Sequence, residues 1–222
     1  MHIPILYADE ALLVVNKPTG LLTIPDAGGA PCLHALLEHA WGRLWVVHRL
    51  DRETSGVLLL ARTAKAHRAL NAQFQTRRTR KVYHALAWGN PPWETVRLDA
   101  PLRVNVGSRH RTVVDARRGK PALTVVSVLH RLETCTLLEA QPHTGRRHQI
   151  RAHLYAAGFP LVGDSLYGHG DPPQSAAPLS RLGLHAHTLE VQHPLSGQSV
   201  TFTAPWPEDF IHLPGVPSPK SL

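Results

Sequence analysis

Residues 44–62 read LWVVHRLDRETSGVLLLAR, and this stretch decides the fold. Two β-rich apolar runs, 44–48 and 57–62, flank a polar loop. The loop holds two acids, Asp51 and Glu53, with Arg49 and Arg52, His48 at its entrance and the hydroxyls of Thr54 and Ser55. Leu50 sits between Arg49 and Asp51, so one apolar anchor presents two charges. Thr54, Ser55 and Gly56 can supply hydroxyl and backbone donors that hold an acid. From spacing alone, an ordinary Asp and Ser/Thr turn between strands is the preferred reading, and a functional loop is the alternative.

Working outward, residues 3–7 and 12–16 read as short strands split by the turn pair Asp9-Glu10, followed by a turn at Lys17-Pro18-Thr19-Gly20. Residues 33–40 are helical in pattern. Thr63 caps a helix through about Gln75, with Leu70 and Phe74 on one face. A basic run, Arg77 to Lys81, leads into a strand over 82–88. Strands are expected over 122–129 and 132–139. Gly145 opens a helix over about 147–157, with Ile150, Leu154 and Ala157 inward and Gly158 as its stop. A loop covers 170–180, and strands follow near 186–191 and 200–204. After Ala204, five prolines predict an extended tail. Helices and strands alternate without βαβ regularity, which predicts an α+β domain on a mostly antiparallel sheet.

The chain has 222 residues, 43% of them hydrophobic, and a formal net charge of +8. That balance favours a polyanionic partner such as nucleic acid. Two cysteines cannot form a disulfide framework or a four-thiolate zinc site. No run of 18 apolar residues exists, and the first residues do not read as a secretory signal, so a cytoplasmic enzyme with no membrane partner is expected. Glycine-rich phosphate loops and a GxSxG elbow are absent, which leaves nucleotide cofactors without support.

Two further segments carry chemistry. Residues 141–153, QPHTGRRHQIRAH, crowd Arg146, Arg147 and Arg151 with three histidines. Arg151 lies one helical step from the Ile150 stripe, which predicts a partly buried rim arginine with an acidic partner. From Arg103 to Lys120, six basic residues face one acid, Asp115, and could track a phosphate backbone; a solvated hairpin face is the competing reading. His143, His148 and His153 are spaced five apart, which points ligands to diverging faces, so no metal site is expected.

The whole set of motifs resembles the RluA/RsuA-type pseudouridine synthases. HRLDRETSGVLLLA resembles their HRLDxxTSG signature, ILYADEALLVVNKPTGLLTIP their opening strand pair and KPxG turn, and RKVYHALAWG their tyrosine motif. HTGRRHQIRAHLYAAGFPLVGDSLYG and LHAHTLEVQHP match their later segments, with Arg147 departing from the usual Thr or Ser. The resemblance implies a pseudouridine-synthase fold: a bent, mixed, mostly antiparallel sheet in two halves with a central active cleft. It implies a catalytic domain over 1–205, a Pro-rich tail over 206–222, and the minimal RluA-like branch, since the family's opening begins at Ile3. It implies isomerisation of uridine in structured ribosomal or transfer RNA by a monomer, without cofactor or metal. Asp51 matches the catalytic aspartate, Tyr83 the tyrosine that stacks on the target base, and Arg151 the arginine that pairs with the aspartate. Arg49 matches the residue that fills the space left by the extruded base. His48, Thr54, Arg146, Arg109 and Arg111 complete the candidate substrate-binding set. A catalytically silent RNA-binding module and a hydrolase using Asp51 are the alternatives.

Overall fold

The computed structural model describes residues 2–168 and 178–211. The chain divides into two compact units, Met1–Lys81 with Ala186–Pro205, and Val82–His185 with Trp206–Leu222.

In the first unit, β1 (Ile5–Ala8) pairs with β2 (Leu12–Lys17), and β2 pairs with β4 (Ser55–Ala61). The short β3 (Trp45–Val46) also lies on β4, and β11 (Leu184–Gln192) pairs with β12 (Ser199–Thr203). Each of these pairs is antiparallel. β4 is buried along its whole length, which is why it reads as a continuous apolar run instead of an alternating one. Val57, Leu59 and Ala61 share a core with Leu12, Val14, Leu189 and Phe202. The helix α1 spans Leu33–Trp41, and α2 spans Ala64–Gln75. Thr63 begins α2 as expected: its Oγ1 accepts from the Ala66 amide at 3.1 Å, a cap typically contributing about 1 kcal/mol. Ala66 and Leu70 then bury one face of α2 in the same core.

In the second unit, β5 (Arg80–Trp88) pairs with β10 (Cys135–Pro142), β10 with β9 (Thr124–Arg131), and β9 with β6 (Thr95–Leu98), all antiparallel. A separate hairpin joins β7 (Leu102–Val106) to β8 (Arg111–Val114). The helix α3 (Gln149–Ala156) lies between two clusters. Ile150 and Leu154 pack into the sheet core with Ala85 and Leu138, while Ala152 packs with Leu102, Ala122 and Tyr167. The α+β class with a mostly antiparallel sheet is therefore as the sequence predicts.

Three expectations need correction. Gly145 does not open α3. The helix begins at Gln149 after His148, which takes a left-handed φ of 52°. The Gln149 side chain organises the turn, accepting from the Thr144 hydroxyl at 2.6 Å and the Arg146 amide at 3.1 Å. Arg151 is not at a rim but 4% exposed, because α3 is covered on both sides. Finally, residues 206–211 are not an extended tail. Trp206 and Phe210, the latter on the short α4 (Glu208–Ile211), join the core of Leu86, Val162 and Leu179. The Trp206 indole donates to His84 Nδ1, and Arg181 forms a bidentate pair with Asp209. Most of the loop expected over 170–180, and the tail beyond Ile211, lie outside the described residues.

Candidate functional site

The loop between β3 and β4 is held at nearly every residue. Leu50 is buried, its carbonyl accepts from the Thr23 hydroxyl at 2.9 Å, and its amide donates to the same oxygen at 3.3 Å. The Arg52 carbonyl accepts from Lys17 Nζ at 3.1 Å, and the Glu53 carbonyl from the Thr19 hydroxyl at 2.7 Å. Arg52 Nε returns a bond to the Gly20 carbonyl at 3.1 Å. Asp51 thus sits in a backbone clamped on both sides by the turn that follows β2. Its own carbonyl accepts from the Thr54 amide at 3.1 Å, closing the loop.

Lys17 is central to this arrangement, although its sequence context marks only a turn. It is 0% exposed and stands opposite Gly56 in the β2–β4 register. Its ammonium donates to the carbonyls of Pro18 at 2.8 Å, Leu21 at 2.7 Å and Arg52 at 3.1 Å. Burial pushes its pKa down to about 8, against the pull of the nearby Glu53 and Asp51 charges. Gly56 is required beside it: at φ +114°, an added Cβ would stand 2.1 Å from the Ala186 carbonyl oxygen.

The remaining candidates of this unit fall into distinct places. Arg49 is exposed. His48 is half-buried, stacks on Phe74 at 4.8 Å, and accepts from the Leu59 amide at 3.0 Å. Burial, with the Lys81 charge, holds its pKa near 3, so the ring is neutral and anchors the loop to β4. Thr54 is buried, and its hydroxyl makes no hydrogen bond among the described residues. Its amide, not its hydroxyl, closes the Asp51 turn.

In the second unit, Tyr83 stands opposite Ala140 on β5 and packs, half-buried, against the cluster that contains Ile150. Arg151 forms a bidentate pair with Asp164, Nε to Oδ2 at 2.8 Å and Nη2 to Oδ1 at 2.7 Å. The acidic partner expected for Arg151 therefore exists, and Asp164 supplies it. The guanidinium also lies 5.1 Å from the centre of the Tyr167 ring. On Tyr167 and Tyr155, Arg111 makes two further cation–π contacts, at 4.8 and 4.9 Å. Arg111 is thus part of the packing that docks the β7–β8 hairpin on α3. Arg146 lies over the Pro121 carbonyl at 3.2–3.3 Å, and exposed Arg109 donates to the Ser165 carbonyl at 2.7 Å. Arg117 and Arg118 are exposed, and their amides cap Asp115. The histidines at and within α3 are used internally: His148 Nδ1, at the cap, lies 3.2 Å from the Tyr167 hydroxyl, and His153 Nε2 donates to the Ala100 carbonyl at 2.9 Å.

Known proteins resemble this chain over most of its length. Residues 11–156 match the family described as RNA pseudouridylate synthase. The ribosomal large subunit pseudouridine synthase D of Neisseria meningitidis (serogroup A) is 38% identical over 227 residues, covering 96% of this chain and 60% of its own length. The dual-specificity RNA pseudouridine synthase RluA of Pasteurella multocida is 37% identical over 209 residues, covering 92% of this chain and 93% of its own. Among solved structures, human RNA pseudouridylate synthase domain containing 1 superposes with a TM-score of 0.80 at 29% identity, covering 93% of this chain and 84% of that one. The chain spans 60% of the length of the Neisseria protein.

Proposed function

The chain belongs to the RNA pseudouridylate synthase family, and on that premise we propose that it isomerises uridine to pseudouridine in structured ribosomal or transfer RNA, with Asp51 as nucleophile. The observation that carries this reading is the Asp51 loop, where the backbone on each side of one carboxylate is tied down by Lys17, Thr19 and Thr23. Such preorganisation suits an acid that must meet the target nucleoside in a fixed geometry. The reaction breaks the N1–C1′ bond, turns the uracil, and joins C5 to C1′. C5 loses a proton and N1 gains one, so neither water nor a redox equivalent is consumed. A carboxylate can attack covalently or stabilise an oxocarbenium-like sugar while the base turns.

The other residues take their roles around that step. Arg151 takes the role of the family arginine that the resemblance assigns to partner the catalytic aspartate. Tyr83 stacks on the target base and serves as a candidate for proton transfer. The base must leave its stack, at a cost of a few kcal/mol, which exposed Arg49 offsets by filling the gap. Thr54, with its buried hydroxyl, and His48 and Arg146 complete the substrate-binding set. The large-subunit synthase among its relatives supports ribosomal RNA as the first substrate to test, and transfer RNA is the second substrate of this proposal.

The test is tritium release from unmodified ribosomal and transfer RNA transcripts carrying 5-tritiated uridine. Isomerisation releases tritium from C5 with no free base, and on unlabelled RNA the same reaction leaves the mass unchanged. Free uracil would identify a hydrolase instead, and binding without release would identify a silent RNA-binding module.

RNA affinity should depend on the exposed arginines of the β7–β8 hairpin region. Neutralising Arg109, Arg117 and Arg118 together is expected to weaken binding and lower the slope of log K against log salt by up to about three, roughly one per lost phosphate contact. Arg111 is left in place because it sits between two tyrosine rings. A slope equal to wild type would make this stretch a solvated face only.

A further inference from the structure

We propose that Asp164 is a positioning residue of the reaction, fixing the direction and plane of the Arg151 guanidinium. This rests on the pseudouridine synthase reading and on the role given there to Arg151. Asp164 is itself held without slack. Its Oδ1 accepts from the amides of Leu166 at 2.9 Å and Tyr167 at 3.0 Å, in addition to Arg151 Nη2. The preceding Gly163 lies at φ +69°, where an added Cβ would stand 2.0 Å from the Arg181 carbonyl oxygen, so the entry to this turn is equally constrained.

The geometry is directional. The carboxylate takes Nε and one hydrogen of Nη2, the side edge of the guanidinium. That orientation turns the Nη1 end away from Asp164, while the Tyr167 ring at 5.1 Å fixes the plane. The side chains of the pair are 5% and 0% exposed. A buried ion pair roughly breaks even in stability against an apolar pair of the same volume, so stability alone is a weak reason for one here. Setting the angle of an arginine assigned to the reaction is a sufficient one.

The hairpin joins the same cluster. The Thr112 amide of β8 donates to the Tyr167 hydroxyl at 2.8 Å, and Arg109 reaches the Ser165 carbonyl. The turn that carries Asp164 is thus braced by the segment assigned to RNA contact. Asp164 touches no substrate in this scheme and acts only through Arg151.

The experiment compares wild type, Asp164→Glu, Asp164→Asn and Arg151→Met, and each Asp164 variant combined with Arg151→Met. The readouts are thermal unfolding, RNA affinity, and kcat and KM for tritium release. Glutamate keeps the charge but, one methylene longer, displaces the guanidinium; Asn keeps the size and removes the charge. The folded variants are expected to lose about 100-fold in kcat, the scale of a misplaced catalytic group, with KM and RNA affinity unchanged. In the Arg151→Met background, the Asp164 changes should cost nothing further, since the residue works through that arginine. Losses that multiply independently, a Glu variant with wild-type kcat, or a failure of both Asp164 variants to fold would each overturn the proposal. Those results leave wild-type activity in place and so spare the functional reading. A wild-type protein that releases no tritium from any RNA overturns that reading and this inference with it.

Discussion

Asp51→Asn is expected to lower pseudouridine formation by at least about four orders of magnitude, the scale on which a covalent nucleophile is lost. Folding should survive. The bonds from Thr23, Lys17 and Thr19 end on the carbonyls of Leu50, Arg52 and Glu53, and the Thr54 amide on the carbonyl of residue 51, so none of them needs the carboxylate. Glu53 cannot take over, because Thr19 holds its backbone two residues further along an exposed turn. RNA affinity should equal or exceed that of wild type, since one negative charge near the phosphates is gone. The paired measurements are pseudouridine formed per enzyme and a binding isotherm at the same salt. An Asn variant working within tenfold of wild type would rule out Asp51 as the nucleophile.

What could be read from the sequence, and what could not, follows from how local each signal is. The α2 helix was legible to the residue because Thr63, Ala66 and Leu70 carry both its cap and its buried face within a few positions. The β4 run was legible because seven consecutive buried residues leave no competing pattern. The start of α3 was misplaced because Gly145 imitates a helix opening, whereas Gln149 closes the turn through its side chain. The burial of Arg151 was missed for a non-local reason: Tyr167 and the β7–β8 hairpin cover the flank of α3 that a single-helix stripe leaves open. Five prolines after Ala204 outweighed Trp206 and Phe210, the two aromatics that anchor residues 206–211 to the core. In the candidate site, Asp51 and its loop stood out by their residue types. The clamp did not: Lys17, Thr19 and Thr23 lie some thirty residues upstream, and only strand pairing brings them to the loop. One signal for Lys17 was available, a lysine ending the apolar strand LLVVN, where burial demands several acceptors.

Lys17→Met should show how much that clamp contributes. The change removes three donors at once and leaves the Pro18, Leu21 and Arg52 carbonyls without them. Each bond to a charged donor is worth more than a neutral one, but the desolvation of the ammonium offsets part of the sum, and a net loss of about 3 kcal/mol is expected. For a chain of this size, that lowers Tm by roughly 6–12 °C. The pH dependence carries a definite sign. Burial holds the folded pKa near 8, below the ordinary 10.5. Between these values the unfolded chain keeps the Lys17 proton while the folded chain releases it, so this residue adds stability as pH rises through the window. Below about pH 8 both states are protonated, and the contribution is constant. The methionine variant has no such proton, so the gap in stability between wild type and variant should widen from pH 7 to pH 10. Denaturant unfolding of both proteins at those two pH values measures it. A gap that narrows would mean that the three carbonyls and the Asp51 and Glu53 charges outweigh burial, holding the ammonium more firmly in the fold than in the unfolded chain.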